Sequence, residues 1–289
     1  MKPHVECGGC LVHWVYERAV AHTADKDVAR LTRSIVDVLL SDVSPSANLG
    51  SLCNSTVYAA QALAPAMARH YEAMKVTTNE HARRFLPEAA SHILDATTAR
   101  EGFERACLIA AAANVSSLGA PSGAYTFSEL RAVMGEGRSS TLIIGNVLNA
   151  VENAQRILYV PDNAGEIGFD ALAMALLKAM GKRVTLLVKS DTFFEDATPG
   201  DAHFFGLDRV VDEIVTTRGF AAPAELEPPA SEALANADLI MAKGTGSYEA
   251  LHGEPLGKPA VFMLKIKCPA LAREVGAGIG TTVVKVEKA

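Results

Sequence analysis

The sequence predicts an α/β protein: an all-α helical domain over residues 1–153, then a mainly parallel α/β/α sheet domain over 154–289. Two changes of pattern carry this. Before about residue 153 apolar residues recur three and four apart, the period of a helix. From Arg156 the chain breaks into short β-rich apolar runs that alternate with helical stretches, the signature of βαβ units in a doubly wound sheet. Size and composition agree. The 289 residues, 49% hydrophobic and 21% charged, suffice for one large core or two modest ones and exclude a disordered, collagen-like or coiled-coil chain.

The helical reading rests on Val28 to Leu40, Val57 to Met74 and Phe103 to Asn114, and no strand is expected before Arg156. Ser44-Pro45-Ser46, Pro87 and the run from Gly119 to Gly123 are expected to break it into several helices. Strands are expected at Arg156 to Val160, Val184 to Val188, Val210 to Val215, Leu239 to Ala242, Ala260 to Leu264 and Thr282 to Val286. Between the first two, Ile167 to Met180 reads as a helix closed by Gly181, with Lys182 and Arg183 following as a C-terminal stop.

A net charge of -6 argues against nucleic acid, because phosphate backbones are bound through Lys and Arg clusters. A single phosphate group is not excluded, since a few lysines and a divalent cation neutralise it locally. No run reaches the roughly 18 uninterrupted apolar residues of a membrane span, and the start MKPHVECGGC lacks a signal-peptide core. No membrane partner is expected, and a cytoplasmic location is. Five cysteines in such a chain read as reduced thiols or metal ligands. Cys7 and Cys10 form a CxxC pair at the start of an expected helix, open to zinc, redox or idle-thiol readings, while Cys107 and Cys268 read as core.

Polar residues collect just after the first, second, fourth and fifth expected strands: Asp162 and Asn163, then Asp191 and Asp196, then Lys243-Gly244-Thr245-Gly246, then Lys265 and Lys267. In open α/β sheets ligands bind at those carboxyl ends, so these residues can converge on one crevice. Carboxylates and a carboxamide are hard oxygen ligands suited to Mg²⁺ or Mn²⁺, and lysines answer phosphate charge. Asp162 to Glu166 also turns into a helix N-terminus, which favours anions. Taken singly, Asp-Asn before a helix is also a common cap. Lys243 to Gly246 is neither a P-loop nor a dinucleotide fingerprint, and neither a Gly-x-Ser-x-Gly elbow nor an Asp-x-Asp-x-Thr run is present.

Asp162-Asn163-Ala164-Gly165-Glu166-Ile167, Glu195-Asp196-Ala197-Thr198, Lys243 to Glu249 and Leu264-Lys265-Ile266-Lys267-Cys268-Pro269 together resemble, in order and spacing, the metal-dependent damage-control phosphatase family over nearly the whole chain. The resemblance implies a helical domain before a Rossmann-like α/β domain, with metal held by Asp162, Asn163 and Asp196, not by Asp191. It implies that Lys243 approaches the substrate phosphate, with Gly244, Lys267 and Asn114 at the same subsite. Tyr71, Lys75 and Asn79 look like the family's Tyr-xxx-Lys-xxx-Asn stretch, and the CxxC pair looks like that of its microbial branch. The chain departs from the family pattern at Ala113 (Gly is usual), Ser117 (Asp), His70 (Pro) and Glu195 (Asn). The implied activity is hydrolysis of a small phosphorylated metabolite, a sugar phosphate or phosphorylated cofactor intermediate, with Mn, Co, Ni or Mg as the divalent cofactor. A non-catalytic binding protein that keeps the crevice is the rival, and the oligomeric state is left open.

Overall fold

The computed structural model describes residues 1–113, 128–135 and 141–288. Five helices come first: α1 (Cys7–Val20), α2 (Val28–Asp42), α3 (Leu49–Gln61), α4 (Ala66–Leu94) and α5 (Ala99–Ala112), with α6 (Ser128–Met134) after them. Then follow β1 (Thr141–Ile144), α7 (Val147–Glu152), β2 (Arg156–Val160), α8 (Glu166–Ala179), β3 (Arg183–Lys189), α9 (Pro199–Phe204) and β4 (Glu213–Thr217). The chain closes with α10 (Ala230–Asn236), β5 (Leu239–Lys243), α11 (Gly244–Leu251), β6 (Ala260–Lys265), α12 (Pro269–Val275) and β7 (Thr282–Glu287).

Three expectations need correction. Val57 to Met74 is not one helix, because α3 ends at Gln61 and α4 starts after Pro65, whose fixed φ suits a helix start. Pro87 does not break α4. Pro87 and Arg83, whose carbonyl loses its partner amide, are both exposed, so water can satisfy that group. Thr141–Ile144 is a strand inside the segment expected to be all helical.

The seven strands form one sheet in the order β1-β7-β6-β5-β2-β3-β4. Every pair is parallel except β6 with β7. Strand residues alternate between two cores, as a pleated sheet covered on both faces requires. Leu158, Val160, Ile240, Ala242, Phe262 and Leu264 face a core shared with α1, α2 and α3. Ile157, Tyr159, Leu239, Met241, Val261 and Met263 face a core shared with α5 and α8. Both cores therefore draw on both halves of the chain. The division at 153/154 marks a change of sequence pattern, while the N-terminal helices cover the sheet.

β2 lies between β3 and β5, and the chain winds outward from it in both directions. This topological switch point opens a crevice at the carboxyl ends of β2 and β5.

Candidate metal and phosphate site

The loops after β2 and β3 are zipped together by backbone. Asn163 and Asp196 form an isolated antiparallel bridge. Ala164 N donates to Glu195 O at 2.8 Å, and Ala197 N to Asp162 O at 2.9 Å. Two acids 34 positions apart are thus brought to one place by main-chain hydrogen bonds and not by their own charge. Asp191 is left exposed, its Oδ1 accepting from Thr192 N at 2.7 Å.

α4 locks these loops from behind. Asn79 Oδ1 accepts from Gly165 N at 2.6 Å, while its Nδ2 donates to Asp201 Oδ1 at 2.7 Å. Lys75 Nζ lies 2.7 Å from Asp201 Oδ2 and donates to Thr198 Oγ1 at 3.1 Å. Tyr71 is buried edge-on against Phe194, with ring centroids 5.3 Å apart. The Tyr-xxx-Lys-xxx-Asn stretch is one stripe on a helix whose polar ends hold the site loops. Gly165 is required where the chain enters α8: its φ is 76°, and a Cβ there would lie 2.6 Å from Thr78 Cγ2.

Asp162, Asn163, Glu195, Asp196 and Lys267 line a cavity that runs beneath α1. α1 contributes Arg18, whose guanidinium lies 5.4 Å from the Trp14 ring centroid and 5.7 Å from that of Phe194. Its Nε is 3.7 Å from Glu195 Oε2, and this buried atom has no hydrogen-bond partner among the described residues. At the far end lie Glu249 and the thiols of Cys7, Cys10, Cys53 and Cys268.

The acids outnumber the bases. Glu6, Asp162, Glu195, Asp196 and Glu249 line the cavity against Arg18, Lys267 and the Met1 amine. Burial first, and then the carboxylates of Glu166 and Asp196, push Asp162 up to about 8, although Lys267 and Lys243 pull the other way. Burial likewise raises Asp196 against the opposing Lys189, whose Nζ lies 3.0 Å from Asp196 Oδ2. Burial raises Glu249 to about 7. A cation placed among these groups would relieve both their desolvation and their mutual repulsion.

Asp162, Asn163 and Asp196 offer two carboxylates and a carboxamide, the hard donor set that Mg²⁺ and Mn²⁺ prefer. Among the described residues no group of three or more His, Cys, Asp or Glu side chains could hold a metal ion. Any such ion at this site therefore relies on oxygens beyond the side-chain carboxylates, with the Asn163 carboxamide as one of them. The four thiols by the cavity fall under the same statement, and they stand as free cysteines.

The expectation that Lys243 reaches across the crevice is not met. Its side chain is wholly buried, with Nζ 3.3 Å from both Glu166 Oε2 and Asp170 Oδ1. Strand alternation is the reason: Lys243 is two residues beyond Met241 and so falls on the face that α8 covers. Glu166 and Asp170, one turn apart on α8, receive it there. Burial alone would lower the Lys243 ammonium, but Asp170, Glu166 and Asp162 outweigh it and raise its pKa.

Gly244 lies against Asp162. Its φ is 80°, and a Cβ on it would sit 2.0 Å from Asp162 Oδ2, so the β5 loop closes directly on the acid. Lys267 lies beside the acids, as expected of a residue beyond the end of β6. Asn114 and Ser117 lie outside the described residues. Cys107 is core, whereas Cys268 is only partly buried and lines the cavity. Arg18, Lys189, Glu249 and Asp170 were missed. Lys189 ends β3, so the strand-end rule that found Asp162 could have found it, and Asp170 follows Glu166 at helical spacing. Glu249 closes the Lys243 to Glu249 motif but was given no role, while Arg18 carried no local signal, because only the packing of α1 brings it to the cavity.

The model of the damage-control phosphatase ARMT1-like domain matches residues 4–283. A damage-control phosphatase from Archaeoglobus fulgidus is 30% identical over 294 residues, covering 99% of each chain. A damage-control phosphatase from Pyrococcus horikoshii is 37% identical over 136 residues, 46% of this chain and 47% of that protein. In three dimensions the chain is similar to a crystal structure of a DUF89 family protein from Pyrococcus horikoshii, with a TM-score of 0.81, 24% identity and full coverage of both chains. Among the described residues no helix is long and apolar enough to cross a membrane.

Proposed function

Because the chain belongs to the damage-control phosphatase ARMT1-like family, whose members support a phosphatase role for it, we propose that it hydrolyses a small phosphomonoester with the help of a divalent cation held by Asp162, Asn163 and Asp196. The observation that carries the metal is the excess of buried acid in the cavity. Raised carboxyls such as Asp162 and Glu249 hold their protons until a cation replaces them, and once ionised beside Asp196 they would repel a phosphate dianion unless that cation intervened. When bound, the ion supplies charge neutralisation at the phosphoryl oxygens and Lewis acidity. Mn²⁺, Co²⁺, Ni²⁺ and Mg²⁺ all suit this oxygen-rich set.

The chain's own residues do the rest. Lys267, beside the acids, meets a phosphate oxygen as a point charge. Arg18, braced against Trp14 and Phe194, turns an unsatisfied Nε to a second anionic or carbonyl oxygen of the substrate. Leu11, Leu49, Phe220 and Leu271 make the remaining wall apolar, which excludes water around the leaving group. A sugar phosphate or phosphorylated cofactor intermediate is the substrate class in this reading, and the Cys7 and Cys10 pair supports a tie to the family's microbial branch.

The test is phosphate release from a panel of phosphometabolites with and without each of the four cations. Release that depends on metal and is lost in Asp162→Asn supports the reading. Metal-independent release would remove the cation from it. Binding of metal and metabolite without any release would favour the non-catalytic rival.

A further inference from the structure

Glu166 joins two bonds that meet back to back. Its Oε1 accepts from Asn163 Nδ2 at 2.9 Å, and its Oε2 accepts from Lys243 Nζ at 3.3 Å. Lys243 is held in turn by Asp170, which also accepts from Tyr159 OH at 2.9 Å. The chain Tyr159–Asp170–Lys243–Glu166–Asn163 runs through fully buried side chains to one of the residues that line the cavity.

We propose that Lys243 is a positioning residue for metal binding: through Glu166 it fixes the Asn163 carboxamide with Nδ2 engaged and Oδ1 left for the cation. This rests on the metal reading above. A carboxamide has one end that can ligate a hard cation and one end that repels it, and nothing in its shape chooses between them. A carboxylate partner chooses, because it accepts only, so the NH₂ must face it. An ammonium on the other carboxylate oxygen keeps that partner in place. The lysine in the Lys243-Gly244 turn thus acts from behind the site, on the orientation of a ligand, and Lys267 is the lysine that faces substrate, with Arg18.

Substitution of the relay gives effects that simple charge does not. In Glu166→Gln the amide oxygen turns to Lys243, so the amide nitrogen faces Asn163, whose carboxamide must then invert and present its NH₂ to the cation. Adding Asn163→Asp to Glu166→Gln reverses the hydrogen bond while preserving total charge: residue 163 accepts from the glutamine and still offers an oxygen. Lys243→Met removes a positive charge near a cation site, so electrostatics alone would tighten metal binding, whereas loss of the relay loosens it.

The experiment is calorimetric titration of the metal-free protein with Mn²⁺, with native folding of each variant checked by circular dichroism. The relay predicts Mn²⁺ affinity weakened about 10- to 100-fold in Glu166→Gln and in Lys243→Met, the usual cost of losing a residue that orients a ligand. It predicts recovery to within about threefold of wild type in the Asn163→Asp/Glu166→Gln pair. Asp170→Asn, which removes the same charge as Glu166→Gln but does not touch Asn163, should lose less. Should Lys243→Met fail to fold, the charge-preserving pair and the Asp170→Asn control still decide. Wild-type affinity in Glu166→Gln, no recovery in the pair, or equal loss in Asp170→Asn would overturn the relay while leaving the metal site standing. Absence of Mn²⁺ binding by the wild type would instead overturn the metal reading, and the relay with it.

Discussion

The acids of the cavity and the acids around His252 are built on opposite plans. Near the C-terminus acidic and basic side chains alternate. His4 Nε2 lies 2.6 Å from Glu274 Oε1, Glu274 Oε2 lies 3.2 Å from His252 Nε2, His252 Nδ1 lies 2.8 Å from Glu287 Oε2, and Lys285 Nζ lies 2.8 Å from Glu287 Oε1. Both glutamates are held below the usual carboxylate range there, Glu274 chiefly by its hydrogen bond with His4. In the cavity Asp162, Asp196 and Glu249 are raised instead. The first cluster is complete within the chain, tying the N-terminal segment to α12 and β7. In the second, burial outweighs the lysines that the chain sets beside the acids, which is how buried acids serve a binding site and how they cost stability.

The largest test of that contrast is Asp162→Asn. It should lower metal-dependent kcat/KM by about 10³-fold, since it removes an anionic ligand whose cation supplies several kcal/mol. Its effect on the metal-free fold should have the opposite sign. The folded carboxyl, pushed up to about 8, holds its proton far above its ordinary pKa, so stability present at low pH is lost as pH rises toward 8. Asn163's neighbour as an amide bears no such cost. Melting of the metal-free proteins at pH 8.5 should therefore give Asp162→Asn a midpoint no lower than wild type. A lower midpoint with turnover retained would break the contrast. Asp191→Ala, exposed and away from the cavity, should change neither.

Lys267→Met comes next. It removes a charge-assisted contact to phosphate from the cavity wall, so kcat/KM should fall about 10²-fold while Mn²⁺ affinity stays level or tightens. An unchanged kcat/KM would leave Arg18 as the anion contact and remove Lys267 from the site.

Lys243 and Lys267 also show what the sequence tells and where it stops. Both stand at the carboxyl end of a strand, and the apolar runs that end there were legible because a strand buried on both faces reads as a short continuous apolar run closed by polar residues. The same logic located Asp162, Asn163 and Asp196. Which way a strand's last side chain points depends on its register with the apolar residues before it. Lys243 continues the Leu239 and Met241 face, so its burial under α8 was implicit in the alternation and was overlooked. Lys267 lies beyond the end of β6, where no alternation binds it. β1 escaped because Thr-Leu-Ile-Ile is four residues at a sheet edge, too short to show a period within a helical context. Val210 and Val211 went the other way: an apolar pair before the true start of β4 at Glu213 belongs to the turn that packs under the sheet. Arg18 reaches the cavity through tertiary packing alone, which no local pattern encodes.

Gly244→Ala probes the closeness of the two loops. A non-glycine residue at φ 80° costs about 1–2 kcal/mol, and its Cβ would also displace the Asp162 carboxylate it would otherwise overlap. Activity should fall about tenfold or more, with a melting midpoint lower by several degrees. Rescue of the midpoint but not of activity by added Mn²⁺ would show that the acid had moved without the metal being lost.

The smallest effect belongs to the completed cluster. Burial would raise Glu287, yet its bonds with His252 and Lys285 prevail and hold it at about 2. A carboxyl whose pKa is lower in the folded chain than in the unfolded one stabilises the fold above its ordinary pKa, near 4.5, and loses that contribution as pH falls toward 2. Wild-type melting should therefore decline through this window. Glu287→Gln, which cannot titrate, should start lower at pH 6 and decline less steeply. Neither Mn²⁺ affinity nor kcat/KM should change, because every partner of Glu287 lies within its own network. If Glu287→Gln altered metal affinity as much as a cavity substitution does, the two clusters would be one electrostatic unit and the contrast between them would fall.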